Sequence, residues 1–441
     1  MKTCTRLCSA SQRRMSMRMT RRKFITAAGG AGVAATTGLL RLPGAATAAP
    51  ATIRLLSHSS YNENSDKAVA KIGEAFAAQH NAAFAGEFID QPEVAAKLTA
   101  EEQAQAGHDI VDLQDNLPTI HKNFLVPLDD VVAEIEKEFG AFYPVAKDSG
   151  YVDGHWLSLP WLGNAELAVY RSDYFAQAGE PIPSTWNDVL RAAPKLKKIG
   201  HPVGFAISQT EDSNAALYPL LWAFGAGVTD TTGRLAIDSP ATNAALDFVR
   251  ALAAQMDPAV YSWDDGGNNK DILSGHGSYT INAPSIYLRA RREKMAFAAA
   301  IRQAQPPAGP RGRFFYVDIH GWGIMKFGSN IGLAKQLLRS MYSAESQKLF
   351  LTLGQGYDMP VLPRFDANPP YAADPQLRPE LNYMPSAHLA AYPAGPDARA
   401  EKAYQTFIIP NMFARAAQGA SNKDAIAFAV KALTDLGYSA K

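Results

Sequence analysis

The spacing of hydrophobic residues switches between two periods along the chain, and each period predicts a different element. After residue 50, a short β-branched run is typical of a strand, and Val69, Ile72 and Phe76 have the spacing of one buried helix face. The elements predicted in this region are a strand at 52–57, the helix just described, a strand at 84–89, a helix at 93–105 and a strand at 109–113. Strands that alternate with helices predict an open α/β fold, with a parallel sheet covered by helices on both faces.

The same alternation continues to the end of the chain. Ser239 and Pro240 predict an N-cap with proline in the first helical turn, and Ser421 begins a second capping motif. Pro194 predicts a kink or an early end in the helix that begins near Trp186, because proline lacks the N–H that the helix ladder needs. The remaining predictions are strands at 167–170, 203–207, 279–282 and 314–324, helices at 215–224 and 331–353, and an irregular connection at 363–396.

Composition and charge then narrow the class of protein. Apolar residues make up 47% of the 441 residues and charged residues 19%, which excludes a disordered chain. Nine of the 43 Lys and Arg side chains precede residue 49, whereas the first acidic residue is Glu63. The rest of the chain therefore carries 34 basic and 42 acidic side chains. An acidic body lacks the electrostatic footprint of a nucleic-acid-binding protein, so no nucleic-acid partner is expected.

The beginning of the chain has the three parts of an export signal. A basic stretch at 13–23 precedes an apolar stretch rich in Ala and Gly, and residues 46–48 supply the small side chains of a cleavage site. Arg21 and Arg22 resemble the twin-arginine motif. We therefore expect residues 1–48 to be a removable signal and the mature protein to lie in the periplasm. The translation start stays open among Met1, Met15, Met17 and Met19.

No motif for catalysis or for a cofactor emerges from the sequence. Both cysteines, Cys4 and Cys8, lie in the leader, so the mature chain has no thiol for a disulfide, a metal site or a nucleophile. The nine histidines lack the pairwise spacing of a zinc site, and no phosphate-binding glycine loop or serine elbow is present. The acidic run at 264–269 lacks the spacing of a calcium loop and predicts a solvated turn. The sequence predicts no cofactor, no metal and no reaction.

Several blocks along the chain carry a resemblance to a known family. In order, they are 154–161 (GHWLSLPW), 167–175 (LAVYRSDYF), 183–186 (PSTW), 272–284, 321–324 (GWGI) and 343–348. Together they resemble the extracellular solute-binding proteins of ABC importers, in the carbohydrate-binding family that includes maltose-binding protein. The resemblance covers essentially the whole mature chain. Ser285 departs from it, since many relatives carry an aromatic residue after the proline that precedes this position.

The resemblance implies a two-lobe periplasmic-binding-protein fold, with a ligand cleft between two α/β lobes. The first lobe is expected to comprise residues 50–163 and 321–375, and the second residues 164–320 and 376–441. Binding is expected to close a hinge, and a permease of the inner membrane would read the closed form. The mature protein is expected to be a monomer.

Candidate ligand-binding residues follow from the loops of the fold and from the chemistry of sugars. Ligands of open α/β sheets lie where the strands end, and sugars need planar polar side chains for their hydroxyls and aromatic rings for their apolar faces. Glycines beside Trp322 favour close approach of a ligand, and the resemblance implies a polar contact at Asn164. Asn62 has the alternative role of a helix cap, and Trp161 that of packing at the hinge. The predicted ligand-binding residues are His58, Tyr61, Asn62, Gln114, Asp115, Trp161, Asn164, Trp222, Asn282, Trp322 and Tyr357.

These features predict the substrate-binding subunit of an ABC importer for a sugar or oligosaccharide, without catalysis. Two alternatives stay open. One is a binding protein for another polar solute, such as a polyol, a glycerophosphodiester or an organic anion. The other is an exported hydrolase on the same two-lobe frame, which carboxylates facing each other across the cleft at glycosidase separation would favour.

Overall fold

Residues 50–382 and 384–439 are those that the structure, a computed structural model, describes. The predicted export signal at 1–48, with Cys4 and Cys8, lies outside them, so the cleavage site and the twin-arginine pair stay predictions. In the described part of the chain, no helix combines the length and the apolar character that crossing a membrane requires.

The strands form two larger sheets and one short hairpin. They are β1 (Thr52–His58), β2 (Ala83–Ile89), β3 (Ile110–Gln114), β4 (Tyr151–Val152), β5 (His155–Trp156), β6 (Leu159–Ala165), β7 (Leu167–Arg171), β8 (Tyr279–Asn282), β9 (Ile301–Ala304), β10 (Phe315–Ile324) and β11 (Ala387–His388). The first sheet has the order β11-β10-β3-β1-β2, and β6 pairs with β10. The second sheet has the order β8-β7-β9.

Helices cover both sheets. They are α1 (Glu63–Gln79), α2 (Gln91–Ala104), α3 (Leu117–His121), α4 (Asp129–Phe139), α5 (Pro144–Gly150), α6 (Ser172–Gln177), α7 (Trp186–Lys198), α8 (Glu211–Ala223), α9 (Pro240–Ala253), α10 (Gly267–Leu273), α11 (Ser285–Arg292), α12 (Ile331–Met341), α13 (Ala344–Gly354), α14 (Arg378–Leu381), α15 (Ala398–Gln405), α16 (Ile408–Ala417) and α17 (Asn422–Asp435). The predicted buried face of α1 is confirmed, since Val69, Ile72 and Phe76 are each at most 6% exposed.

Strand directions in the sheets are mixed. β1 runs parallel to β2 and β3, as predicted, but β10 runs antiparallel to both β3 and β6. In the second sheet, β7 is antiparallel to β8 and to β9. The expectation of a parallel sheet therefore holds for the first three strands of the chain and is wrong for the second sheet.

Three local predictions differ from the structure. The run at 203–207 is buried but forms no strand, because Gly204 N–H and Ile207 N–H donate to the carbonyls of different partners, Tyr279 and Val260. Helix α7 continues past Pro194 to Lys198, and a capping box at Thr185 stabilises its start. The predicted helix at 331–353 is divided, since Ser343 caps a new helix, α13, with its side chain.

Two hydrophobic cores lie against the two sheets. The first contains residues of the six-stranded sheet and of helices α1, α4, α12 and α13, and it extends to the second sheet through Leu167, Val169 and Ile301. The second contains residues of α7, α8, α9, α16 and α17 with those of β7 and β8. A smaller cluster, with Leu56, Val94 and Val111, covers another part of the first sheet.

Candidate functional site

The strand register brings polar residues together at one edge of the first sheet. His58 is the last residue of β1 and Gln114 the last of β3. Because β10 is antiparallel, its His320 lies opposite Gln114 and its Asp318 opposite Asn164 of β6. The chain then continues through Glu166 into the second sheet, where Leu167 pairs with Asn282. The register alone therefore places side chains from both sheets around one point.

A cavity of about 220 Å³ opens at this point. The volume is below the roughly 300–1,000 Å³ of sites for drug-sized molecules, so the cavity suits a small solute in this conformation. Its lining residues are His58, Ser59, Tyr61, Asn164, Glu166, Glu211, Asp212, Ala215, Asp265, Asn269, Asn282, Ala283, Ser285, Tyr316, Asp318, Tyr357 and Tyr404.

An amide network forms one wall of the cavity. Asn282 Nδ2 donates to Asn269 Oδ1 at 2.6 Å, and Asn269 Nδ2 donates to Ser285 Oγ at 2.9 Å. The same Asn269 amide donates to the hydroxyl of Tyr61 at 3.2 Å. Tyr61 follows β1 of the first sheet, whereas Asn282 ends β8 of the second. This network therefore joins the two sides of the cavity.

A largely buried His–Asp–His stack, formed by His58, Asp112 and His320, lies beside the cavity, and His58 is its member that lines the cavity. Asp112 lies 2.7 Å from His58 Nδ1 and 3.1 Å from His320 Nδ1, and the two imidazole rings stack at 4.3 Å with an angle of 18°. Burial opposes ionisation of Asp112, but the charge of His320 and the hydrogen bonds of both histidines hold its pKa well below its usual value. Burial also opposes the charge of His320, yet Asp112 and Asp318 hold the pKa of His320 well above its usual value.

The geometry of this stack fits hydrogen bonding better than metal binding. The ligating atoms of His58, Asp112 and His320 lie within 4.8 Å of one another, as metal ligands do. A metal ion lies close to the plane of each imidazole that binds it, and two nearly parallel stacked rings cannot both satisfy that condition. The stack is therefore a hydrogen-bonded support in this conformation.

Carboxylates dominate the electrostatics of the cavity. Burial, and then the charges of Asp318 and Asp265, raise the pKa of Glu166 to about 8. Part of the Glu211 residue is exposed to solvent. Desolvation of its carboxyl by neighbouring protein atoms, and then the charges of Asp318 and Asp265, raise its pKa to about 7. Burial and the charges of Glu166 and Asp265 raise the pKa of Asp212 well above its usual value. Neither Glu166 nor Asp212 has an ion-pair partner among the described residues, whereas the charges of His58 and His320 partly offset the rise in the pKa of Glu211.

Tyrosines supply the aromatic surfaces of the cavity. The rings of Tyr316 and Tyr404 stack at 5.6 Å with an angle of 18°, and those of Tyr61 and Tyr357 at 6.4 Å with an angle of 28°. Tyr316 donates a short hydrogen bond from its hydroxyl to Asp115, and Asp115 also accepts from Ile319 N–H at 2.9 Å. Asp115 thus fixes the ring that faces the cavity.

The structure places the predicted ligand-binding residues in three environments. His58, Tyr61, Asn164, Asn282 and Tyr357 line the cavity. Gln114 and Asp115 are buried behind its wall, and Asn62 caps α1 while its amide donates to the Gly354 carbonyl at 2.7 Å. Trp161, Trp222 and Trp322 lie in the hydrophobic cores and are at most 3% exposed.

The three tryptophans do not line this cavity, so stacking of a ligand on them stays a prediction without a contact in the cavity to support it. Trp161 packs on Phe350 at 4.6 Å and near Trp322 at 6.4 Å. The glycines beside Trp322 admit protein atoms, since a Cβ at Gly321 would meet Ser158 and one at Gly323 would meet Leu113. The flanking glycines therefore let neighbouring parts of the protein approach, and not a ligand.

Replacing Trp161 by Ala is expected to lower the free energy of unfolding by about 3–5 kcal/mol, the usual cost of truncating a buried large aromatic residue. Trp186→Ala is the matched comparison, because Trp186 is 3% exposed and packs on Phe205 and Phe248 in the other core. Urea titration measures both changes. A Trp161→Ala protein with unchanged stability and a weakened affinity would contradict the core assignment.

Other polar and aromatic residues of the cavity were not predicted from the sequence. Glu211 and Asp212 are in the first turn of α8, where acidic residues are common at any helix. Asp265 lies in the run predicted to be a solvated turn, and Ser285 at the departure from the family pattern. The residues missed are Glu166, Glu211, Asp212, Asp265, Asn269, Ser285, Tyr316, Asp318 and Tyr404. Glu166 and Asp318 could be found only from the strand register, because Asp318 of β10 pairs with Asn164 of β6 and Glu166 directly follows β6.

Residues 71–379 match the family described as bacterial extracellular solute-binding protein, and the chain belongs to that family. This match confirms the resemblance drawn from the ordered sequence blocks. It also makes solute binding the established property of the family.

Curated relatives match over shorter stretches. A "Probable ABC transporter-binding protein" of Deinococcus radiodurans is 25% identical over 223 residues, which is 48% of this chain and 53% of the relative. The sn-glycerol-3-phosphate-binding periplasmic protein UgpB of Escherichia coli is 36% identical over 87 residues, 18% of this chain and 20% of UgpB. The chain thus spans about half the length, or less, of the curated relatives it matches.

Solved structures of similar fold cover nearly the whole described chain. Maltose-bound MalE3 of T. maritima has a TM-score of 0.74 and 21% identity, over 88% of this chain and 100% of that one. A solute-binding protein of Thermotoga lettingae bound with α-D-tagatose has a TM-score of 0.75 and 19% identity, over 88% and 99%. The predicted two-lobe periplasmic-binding-protein fold is therefore confirmed.

Proposed function

We propose that this protein is the solute-binding subunit of an ABC importer and that it captures a small polyhydroxylated solute, a sugar or a polyol, in the cavity between its two sheets. The observation that carries the proposal is the lining itself. Carboxylates, amides and tyrosines converge there from both sheets, and planar acceptors with aromatic faces are the partners that sugar hydroxyls and sugar rings need.

The acidic lining separates the candidate solutes. Among the described residues that line the cavity, five are Asp or Glu and none is Lys or Arg. An anionic solute would add charge repulsion without a basic partner. A neutral solute rich in hydroxyl donors meets no such cost. The lining therefore favours a sugar or polyol over an organic anion or a glycerophosphodiester.

The proposed binding mechanism is closure of two lobes around the solute. The lobes would comprise 50–163 with 321–375 and 164–320 with 376–441. Strands β6 and β10 would connect them at the paired positions Asn164 and Asp318. The hydrogen bond from Asn269 to Tyr61 links the two sides of the cavity and would form part of the closed state.

The proposed setting is the periplasm, with a permease of the inner membrane as the partner of the closed monomer. Fractionation of cells that express the full chain tests this location, and retention of the whole product in the cytoplasm would contradict it. We propose binding without catalysis, since the chain belongs to a family of binding proteins. Recovery of the bound solute unchanged after prolonged incubation tests this point against the hydrolase alternative.

A thermal-shift screen of sugars and polyols tests the proposal. A ligand that binds only the folded state stabilises it by about 2.7 kcal/mol at roughly 100 times Kd, so a true solute is expected to raise Tm by several degrees. Small-angle X-ray scattering on the best ligand is expected to show a smaller radius of gyration. Failure of every sugar and polyol to raise Tm would contradict the proposed solute class, and binding without compaction would contradict lobe closure.

A further inference from the structure

Four buried oxygen atoms of residues that line the cavity have no hydrogen-bond donor in the described part of the chain. They are Asn164 Oδ1, Glu166 Oε2, Asp212 Oδ2 and Asp318 Oδ1. The Asn164 oxygen is an acceptor, and the three carboxyl oxygens are acceptors when ionised; the Glu166 residue is only 9% exposed. Buried polar atoms in native proteins are normally paired. A solute that satisfies these atoms must bring several donors.

Most carboxyl groups of the cavity also lack a cationic partner among the described residues. Within the described residues, Glu166, Glu211, Asp212 and Asp265 form no ion pair, and only Asp318 has one, with His320 at 3.2 Å. The nearby Lys270 does not change this balance, because its ammonium pairs with Asp264 at 3.0 Å. In the described part of the chain, these four carboxyl groups are therefore free to pair with a cationic solute, whose charge would lower their raised pKa values and favour their ionised forms.

These carboxylates do not have the arrangement of a metal site. Among the described residues, ligating atoms of three His, Asp or Glu side chains come within 4.8 Å of one another only at His58, Asp112 and His320. The carboxylates of Glu166, Asp212 and Asp265 are therefore too dispersed to converge on one ion. Two neighbouring carboxylates are enough to hold an ammonium group, which has three donors and no acceptor and can give its third hydrogen bond to another polar group.

The aromatic walls suit the same kind of solute. Tyrosine faces attract both the C–H surface of a sugar ring and a nearby cation. Tyr316 and Tyr404 form one such surface and Tyr61 and Tyr357 another, all within the lining of the cavity.

We infer that the cavity prefers polyhydroxylated solutes that carry a protonated amine, such as an amino sugar or an amino polyol, over neutral solutes of the same shape. The ammonium group would pair with Asp212 and one neighbouring carboxylate, Glu166 or Asp265, and the hydroxyls would reach Asn164 and the amide network. This preference rests on the proposed solute-binding function and adds the charge of the solute to it.

Isothermal titration with matched pairs tests the preference directly. The pairs are D-glucosamine with D-glucose, D-galactosamine with D-galactose, and D-glucamine with D-sorbitol, and N-acetyl-D-glucosamine is the neutral control. The amine of at least one pair is expected to bind at least tenfold more tightly than its neutral partner at neutral pH. Equal or tighter binding of the neutral members would overturn the preference and leave the proposed function standing.

Variants separate the charge contribution from general damage. Asp212→Asn is expected to reduce the ratio of amine to neutral affinity at least fivefold. Asp264→Asn is the matched control, because Asp264 is an exposed neighbour of Asp265 that pairs with Lys270 and does not line the cavity. Asp265→Asn repeats the test if Asp212→Asn has an altered circular dichroism spectrum. An unchanged ratio in a folded cavity variant would overturn the inference.

A diamine without hydroxyls distinguishes the two levels of the proposal. If 1,4-diaminobutane binds but none of the neutral or amine-bearing sugars and polyols does, the proposed solute class is wrong and the preference for a cation survives. If no pair and no diamine binds, both are overturned.

Discussion

Replacing Asp112 by Asn is expected to lower the free energy of unfolding by about 3–5 kcal/mol, because it breaks a buried ion pair and leaves its cation buried. Asp112 is 6% exposed and accepts hydrogen bonds from His58, His320 and the Ser57 hydroxyl. An Asn at this position offers one oxygen and no charge to two imidazoles. The imidazolium of His320 would then retain only Asp318, at 3.2 Å.

The pH dependence of stability identifies this pair. The pKa of Asp112 is lowered, so its contribution is present above the ordinary Asp value of 3.8 and is lost as the pH falls further. The pKa of His320 is raised, so its contribution is present below the ordinary His value of 6.5 and is lost as the pH rises through the shifted value. Both contributions to the free energy of unfolding are therefore fully present between about pH 3.8 and pH 6.5.

Urea unfolding across this pH range measures the effect. Asp130→Asn is the matched control, since Asp130 pairs with Lys335 at the surface and is expected to contribute at most about 1 kcal/mol. Equal losses of unfolding free energy in Asp112→Asn and Asp130→Asn would show that the His–Asp–His stack stabilises the protein no more than a surface ion pair does.

Replacing Glu166 by Gln is expected to stabilise the solute-free protein and to weaken solute binding. Holding an ionised carboxylate in this cavity is costly, and its pKa of about 8 against an ordinary 4.5 implies a cost on the order of 2–4 kcal/mol at pH 8. Because the folded state keeps the proton that the unfolded state loses, stability falls as the pH rises from about 5 to 8. Glu166→Gln is expected to remove much of that fall.

The same substitution removes an ionisable acceptor from the cavity, and affinity is compared above about pH 8, where the Glu166 carboxyl is charged even without solute. A hydrogen bond to a charged group contributes about 1.5–3 kcal/mol, so Kd is expected to rise roughly 10- to 100-fold. Glu380→Gln is the matched control, because Glu380 is a fully buried carboxyl with a raised pKa that does not line the cavity. It is expected to stabilise the protein at high pH without changing affinity. A Glu166→Gln protein that binds as tightly as the parent would show that Glu166 makes no contact with the solute.

Local sequence patterns are sufficient for several individual helices and strands, because these depend on short-range spacing. The apolar period of α1, the N-caps Ser239 and Ser421 and the strand at β8 follow directly from neighbouring residues. The reversal of β10 was not predictable in this way, since strand direction depends on contacts between residues far apart in sequence.

The site was only partly predictable for the same reason. His58 and Asn282 were found because they directly end strands. Glu166 and Asp318 meet only through the register of β6 with β10, and Glu211 reaches the cavity from a helix of the other side. Resemblance to a sugar-binding family suggests that Trp161, Trp222 and Trp322 stack on a ligand. Their burial in the hydrophobic cores depends on packing between distant parts of the chain, which the sequence alone does not show.

Hydrogen–deuterium exchange with the tightest solute of the screen tests the central claim that the solute is enclosed between the two sheets. We expect slower exchange at the end of β1 and the loop after it (His58 to Tyr61), around Asn164 and Glu166, at the start of α8 and around Asn282. These segments come from both sides of the cavity. Protection limited to one side, or protection elsewhere with none at these segments, would contradict enclosure of the solute in this cavity.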